Sequence, residues 1–211
     1  MITRNWTKDK AIVEEVKWYL NQITLDSEDV FLDLWGNIWS FSVLIADRVK
    51  SVYAYEPEPE NFGILMKNIN KLINVVAYNF AVVWNNDRIR TFYVNDGMNK
   101  GRHSLVVKFD KKIKVPCVNI NDIIEEHGVN KIKMDIEWWE YELLKSITDF
   151  SQIDEIILEY HFTYLQDEDR SKFKEILSIL KNNFRGVIYD KKLTDEKIPL
   201  KKIHTIVFCS K

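Results

Sequence analysis

The sequence predicts an α/β fold in which a mostly parallel sheet is covered by helices on both faces. Three observations carry this. Short runs that are almost wholly apolar recur, Val30-Phe31-Leu32-Asp33-Leu34 first among them, as in strands buried on both faces. Between the runs, apolar residues return at helical spacing, and strands that alternate with helices pair in parallel. The last two β runs, 186–189 and 204–209, are separated by the polar stretch 190–202, which has no helical pattern. That favours an antiparallel pairing at a sheet edge.

In chain order, residues 9–23 read as an amphipathic helix. Ile12, Val13, Val16, Tyr19, Leu20 and Ile23 share one face, with Glu14, Glu15 and Lys17 between them. Residues 1–27 are expected to form a capping helix region and 28–211 the α/β core of a single domain. The strand at 30–34 leads to a helix at 40–46. A second strand at 52–55 is ended by Glu56-Pro57, since proline donates nothing to a ladder. Residues 60–72 carry Phe62, Leu65, Met66, Ile69 and Leu72 on one helical stripe. Residues 74–83 and 88–94 are β-rich, and 95–104 is a polar loop holding Gly97 and Gly101. A strand at 113–118 precedes a short helix at 121–127. Strands at 131–136 and 155–160 are followed by helices at 140–146 and 171–182. The basic stretch 108–114 reads as a solvated strand edge.

A length of 211 residues suits one domain. The hydrophobic share of 46% and charged share of 29% are ordinary for a folded chain and exclude disorder. Thirty basic and 32 acidic residues leave a formal charge of −2, which excludes the basic footprint of a general nucleic-acid binder. No run of 18 apolar residues offers a membrane span. The segment Met1-Ile2-Thr3-Arg4-Asn5-Trp6-Thr7-Lys8 lacks the apolar core of a secretory signal. Cys117 and Cys209 sit in apolar runs and read as buried free thiols, so a reducing cytoplasm is expected. The four histidines and two cysteines show no metal-ligand spacing in the linear sequence, and no metal is expected.

Ligands of open α/β sheets bind beyond the carboxyl ends of the strands. The first such end here is Asp33-Leu34-Trp35-Gly36-Asn37-Ile38-Trp39-Ser40-Phe41, and the second is Glu56-Pro57. An acidic residue about 20 positions beyond the first loop is placed to hold ribose hydroxyls, and Glu56 stands 20 positions after Gly36. The plainer reading is an exposed loop carboxylate.

The run Phe31-Leu32-Asp33-Leu34-x-Gly36-Asn37-Ile38-x-Ser40-Phe41-Ser42 resembles motif I of class I S-adenosylmethionine-dependent methyltransferases, and of the FkbM family in particular. Ala54-Tyr55-Glu56-Pro57-x-Pro59-x-Asn61-Phe62 is similar to that family's second motif, and Tyr78-Asn79-Phe80-Ala81-Val82 to its third. Lys133-Met134-Asp135-Ile136-Glu137-x-x-Glu140-Tyr141-Glu142-Leu143-Leu144 resembles its distinctive K-x-D-x-E-G-x-E run, and Ile157-Leu158-Glu159-Tyr160-His161 the strand after it. The resemblance spans residues 30–161. It implies a Rossmann-like, seven-stranded sheet with an antiparallel last strand. It also implies S-adenosylmethionine as cofactor and a small-molecule or sugar hydroxyl as methyl acceptor. Cofactor contacts are implied for Asp33, Gly36, Asn37, Ser40, Phe41, Glu56, Pro57, Asn79 and Ala81. Asp135 and Glu137 are implied beside the acceptor, where a carboxylate can orient or deprotonate a hydroxyl. Their plainer reading is helix N-terminal charge. His161 lies on the same side of the sheet and reads as a polar loop residue before it reads as a general base.

The departures from the family pattern involve tryptophan. Trp35, Trp39, Trp138 and Trp139 stand where the family has glycine or small residues, and Trp84 occupies a turn where glycine or a small polar residue is ordinary. The chain has 7 tryptophans and only 6 glycines, against a usual glycine share of ~7%. Tryptophan in place of glycine at these positions accounts for both. Side chains in a loop that needs bare backbone and positive φ are expected to obstruct the cofactor, with strained loops and exposed indoles. Two other readings are open: stacking platforms for a purine or sulfonium, and plain core residues. The latter suits Trp18 and suits Trp35 and Trp39 poorly. An active methyltransferase with a remodelled loop, or a silent scaffold that keeps only the fold, are the alternatives to an obstructed enzyme.

Overall fold

A computed structural model describes residues 2–5, 7, 9–38, 40–97, 100–162, 167–195 and 204–211. Ten strands are described: β1 (Val30–Leu34), β2 (Ser51–Tyr55), β3 (Val75–Tyr78), β4 (Ala81–Val83), β5 (Ile89–Val94), β6 (Lys111–Asn119), β7 (Lys131–Met134), β8 (Glu155–His161), β9 (Gly186–Ile188) and β10 (His204–Ser210). The helices are α1 (Asp9–Leu20), α2 (Ser40–Ile45), α3 (Pro59–Ile69), α4 (Ile120–His127), α5 (Glu140–Ser146) and α6 (Asp167–Asn183).

The main sheet has seven strands in the order β3-β2-β1-β7-β8-β10-β9. The first five run parallel, and β10 lies antiparallel between β8 and β9. The predicted sheet, with its antiparallel last strand, is what forms. A second sheet of three strands, β4-β6-β5, was not foreseen. Ala81–Val83 leaves the main sheet to pair with β6, so the β-rich stretch 74–83 serves two sheets. The basic residues Lys111, Lys112 and Lys114 are exposed, but β6 is the middle strand of the small sheet and not an edge.

Alternation along β1 divides its side chains between two cores. Val30, Leu32 and Leu34 join Ile123, Leu143, Phe173 and Leu177 of α4, α5 and α6. Phe31 joins Val13, Val16, Ile45, Leu65 and Ile69 of α1, α2 and α3. Local chemistry sets the helix ends. Glu58 accepts from the Asn61 amide ahead of Pro59 in α3. Asn119 caps α4, which stops at Gly128 with φ 62°, a left-handed turn that glycine takes without a side-chain penalty.

Several expectations shift. The side chains of Ile12 and Tyr19 lie outside the described residues. Trp18, read as core, is 51% exposed and tilts against Phe208. Cys209 is buried and Cys117 only half-buried. No described helix is long and apolar enough to cross a membrane.

Candidate active site

Register fixes the site. Leu34 stands opposite Tyr55 on one side and Met134 on the other, so the segments after β1, β2 and β7 leave the sheet side by side. After β1 the chain turns sharply, with the Trp35 and Gly36 amides both donating to the Tyr55 carbonyl at 2.9 and 3.1 Å. The left-handed residues of this turn are Trp35 (φ 66°) and Asn37 (φ 49°). Gly36 serves a close approach instead, since a Cβ there would meet Leu65 and Ala54 at 3.4 and 3.5 Å.

Asp33 is fully buried. It accepts from Ser42 Oγ at 2.6 Å and lies 3.7 Å from Lys133 Nζ. Glu56 is also fully buried, not the exposed loop carboxylate of the plainer reading. Its two oxygens accept from the Asn37 and Glu58 amides, each at 2.8 Å. Burial pushes this carboxyl up to about 8, and the amide donors pull partly the other way. Asn79 Nδ2 donates to the carbonyls of Glu56 and Pro57 at 2.8 and 3.1 Å, tying the end of β3 to that turn. Phe41 packs edge-on against Phe31, inside the core. Ala81 is buried at the start of β4. The Ser40 side chain and Trp39 lie outside the described residues.

The indoles fill the space between the β1 turn, the small sheet and the segment after β7. Trp35 is 5% exposed, and its ring lies 4.9 Å from Trp139 and 5.5 Å from Phe92. Trp84 stands edge-on to Trp139 and carries the Arg90 guanidinium 4.0 Å above its ring. The Nε1 atoms of Trp35 and Trp139 are buried without hydrogen-bond partners, at about 1–3 kcal/mol each. Two expectations are overturned. Trp35, Trp84 and Trp139 pack together and do not form an exposed patch, and Trp35 is a core residue despite its place in a loop. Trp35 and Trp138 (φ 83°) take a left-handed backbone that favours glycine, whereas Trp84 and Trp139 keep ordinary φ.

The segment after β7 leaves the strand at Met134, two residues earlier than the apolar pattern suggests. Glu137 takes a left-handed φ of 54°, and its carbonyl accepts from Ser104 Oγ at 3.0 Å. Around the end of β8, His161 Nδ1 meets Glu140 Oε1 at 2.7 Å. Its Nε2 lies 3.5 Å from Glu137 Oε2, 3.6 Å from Glu159 Oε1 and 4.0 Å from Asp135 Oδ1. Lys133 Nζ reaches Asp135 at 3.6 Å, and His204 Nδ1 is bonded to Glu159. Trp138 Nε1 donates to the Phe162 carbonyl at 3.4 Å, under the Arg102 guanidinium. Burial and like charge raise the carboxyls of Asp135 and Glu137. For His161, burial opposes the imidazolium, but Glu140, Glu137 and Asp135 outweigh it and hold the ring well above its usual range.

Among the described residues, two donor triplets have all their ligating atoms within 4.8 Å of one another: Asp135, Glu137 and His161, and Glu159, His161 and His204. Linear spacing missed them because strand pairing makes them. The antiparallel register sets His204 directly opposite His161.

A model of the FkbM methyltransferase domain matches residues 28–185. The chain belongs to the FkbM methyltransferase family. No curated protein sequence matches it. Among solved structures, this FkbM-family chain is similar to a dimethyladenosine transferase from Plasmodium falciparum, with a TM-score of 0.54 and 12% identity over 95% of this chain and 61% of that one. A precorrin-6y C5,15-methyltransferase from Geobacter metallireducens GS-15 gives a TM-score of 0.53 and 11% identity over 100% and 94%. TYW2 of M. jannaschii, solved in complex with AdoMet, gives 0.51 and 16% over 99% and 77%. At these identities the likeness is one of fold.

The fold of the family brings Asp33, Gly36, Asn37, Glu56, Pro57 and Asn79 to one rim and Asp135, Glu137 and His161 to the next. Phe41 and Ala81 point into the packed interior. Sequence reasoning missed Lys133, Glu159 and His204. Lys133 had a signal: it stands two residues before Asp135, at a strand end where a lysine in an apolar run needs a partner.

Proposed function

We propose that this chain is a methyltransferase scaffold whose S-adenosylmethionine site is closed as the sequence stands. O-methylation of a small-molecule or sugar hydroxyl is then absent or very weak. The observation that carries this reading is Trp35, a bulky residue at φ 66° whose indole packs against Phe92 and Trp139 at the carboxyl end of β1. Glu56, the carboxylate implied for the ribose, is fully buried, with each oxygen accepting from one backbone amide. The residues present therefore fit that cofactor poorly, and no chemical step is routed through it.

In this reading, Asp33, Gly36, Asn37, Ser40, Glu56, Pro57 and Asn79 shape the cofactor side, with Phe41 and Ala81 packed in the interior behind them. Asp135, Glu137 and His161 shape the acceptor side. The left-handed φ of Trp35 and Trp138 supports glycine as the ancestral residue at those two positions; tryptophan at both in close relatives would sink that idea. One observation favours the second reading, an active enzyme with a remodelled loop: the acceptor side keeps its full set of carboxylates and its imidazole.

Titration calorimetry with S-adenosylmethionine and S-adenosylhomocysteine decides between them. The closed-site reading expects no binding by the chain as it is and binding by the Trp35→Gly, Trp39→Gly double variant. Micromolar binding by the unaltered chain supports the active enzyme. A folded double variant that still binds nothing overturns the obstruction.

A further inference from the structure

We propose that Asp135, Glu137 and His161 form a binding site for one divalent cation of the manganese type. Three separate features of the side chains point there. The first is spacing. His161 Nε2 lies 3.5 Å from Glu137 Oε2 and 4.0 Å from Asp135 Oδ1. Donors bound ~2.0–2.2 Å from a shared ion stand roughly 3–4 Å from one another.

The second is the orientation of the imidazole. Glu140 Oε1, 2.7 Å from His161 Nδ1, holds the proton on that nitrogen and aims Nε2 toward Asp135 and Glu137, where a cation takes the place of the second ring proton. A carboxylate behind a histidine is the arrangement that orients metal-binding imidazoles and makes them better donors. Glu140 is 1% exposed, so solvent does not compete for this bond.

The third is an orphaned atom. Glu137 is buried, and its Oε2, which faces His161 Nε2, makes no hydrogen bond. A carboxylate oxygen taken out of water with no donor is costly; a cation between it and the imidazole removes that cost.

The surroundings agree. Glu159 Oε1 lies 3.6 Å from Nε2 and can serve as a further oxygen donor while it holds His204. Lys133 pairs with Asp135 through Oδ2 and leaves Oδ1, the oxygen nearest His161, for the ion, and Arg102 lies over the Trp138 ring. Asp135, with its side chain 33% exposed, provides the way in from solvent. Carboxylate oxygens with a single imidazole suit manganese among divalent ions. The proposal is independent of the methyl-transfer reading, because cation binding is measured without S-adenosylmethionine and the cofactor loop plays no part in it.

The test is titration of the chelator-treated full chain with Mn2+, read by loss of the free-ion electron paramagnetic resonance signal. The expected result is one bound ion per chain. Asp135→Asn and Glu137→Gln should each weaken binding by at least ~10-fold. Glu140→Gln, which meets His161 at its far nitrogen and otherwise accepts from the Trp138 amide, should weaken it by ~10–100-fold, the scale of lost outer partners. Added Mn2+ should raise the melting temperature of the unaltered chain and not that of the Asp135→Asn variant. If Glu137→Gln fails to fold, the more exposed Asp135 position carries the comparison alone. A folded chain that takes up no Mn2+ overturns the site and leaves an imidazolium held among carboxylates. So does uptake that Asp135→Asn leaves unchanged.

Discussion

The two rims of the site differ in what their buried polar groups face. At the ends of β1 and β2 most of them meet the chain's own hydrogen-bonding groups, while Asp33 Oδ1, Asn37 Oδ1 and Trp35 Nε1 are left without a hydrogen-bond partner. Glu56 takes two backbone amides, Asp33 takes Ser42, and Asn79 spans two carbonyls. The remaining space holds indoles. At the ends of β7 and β8, carboxylates and an imidazole face one another, and at least one oxygen has no donor. A carboxylate whose oxygens each accept one amide keeps lone pairs for a further donor, but Glu56 is fully buried, so a ligand must displace packed side chains to reach it. A group facing its own kind gains from any cation or hydroxyl that arrives. The first rim is thus built as packed interior, and the second as a receptor.

The largest effect expected from breaking this contrast is on cofactor affinity. The Trp35→Gly, Trp39→Gly variant should go from no detectable binding to micromolar, about 8 kcal/mol, while either single change restores little. Because the Trp35 indole is core, the same variant should melt lower when free. Loss of a buried aromatic side chain costs ~3–5 kcal/mol, and release of a left-handed residue returns only about 1–2 kcal/mol. Saturating S-adenosylmethionine should recover the loss, since a ligand that binds only the folded state stabilises it. Scanning calorimetry with and without the cofactor reads both. A free variant that melts higher than the parent would mean the indole was never packed.

Next in size is Lys133. Lys133→Met leaves Asp33 and Asp135 without their shared ammonium, and breaking a buried ion pair costs about 3–5 kcal/mol. Lys131, at the opposite end of β7, lies 2.9 Å from Asp29 and 3.0 Å from Glu155. Lys131→Met should cost a similar amount by urea unfolding, with no change at the site. Equal effects of both changes on Mn2+ binding would erase the distinction between the ends of the strand.

Glu56 sharpens the comparison through pH. Its carboxyl rises from 4.5 to about 8 on folding, so across that window the folded chain holds a proton that the unfolded chain has released. Stability from this group is therefore greatest at low pH and falls as pH rises toward 8, by on the order of 3 kcal/mol. Glu56→Gln should flatten that slope in urea melts taken from pH 5 to 8; an unchanged slope refutes the assignment. The smallest effect is at Trp138, half-buried and left-handed. Trp138→Gly should gain about 1 kcal/mol from released strain and leave cofactor binding unaltered.

The sheet was legible because buried strands are spelled in apolar residues and their order follows from alternation with helices. Asp33, Glu56, Asp135 and Glu137 were legible for a related reason: they stand where those strands end. The small sheet was not, because Ala81–Val83 is as apolar as a strand of the main sheet and nothing local says which neighbour it chooses. His204 and Glu159 were missed because their meeting depends on the register of β10 against β8, a pairing of residues 45 apart. The packing of Trp35 was missed for the converse reason. A loop position suggests exposure, and only the distant Phe92 and Trp139 reveal a core.

The insertion of β10 between β8 and β9 has a consequence for assembly in time. Strand β9 is made before β10, yet among the described residues it pairs with the sheet only through it. Residues 186–188 therefore have no ladder to join until residues 204–210 arrive, and α6 must hold them near their place meanwhile. Until then the flank of β8 is an open edge, with Ile156 and Leu158 beside unpaired backbone, the kind of edge that recruits strands from other chains. Such late, non-local closure is slow. The interval before β10 docks is when two copies of this chain are most able to exchange that strand.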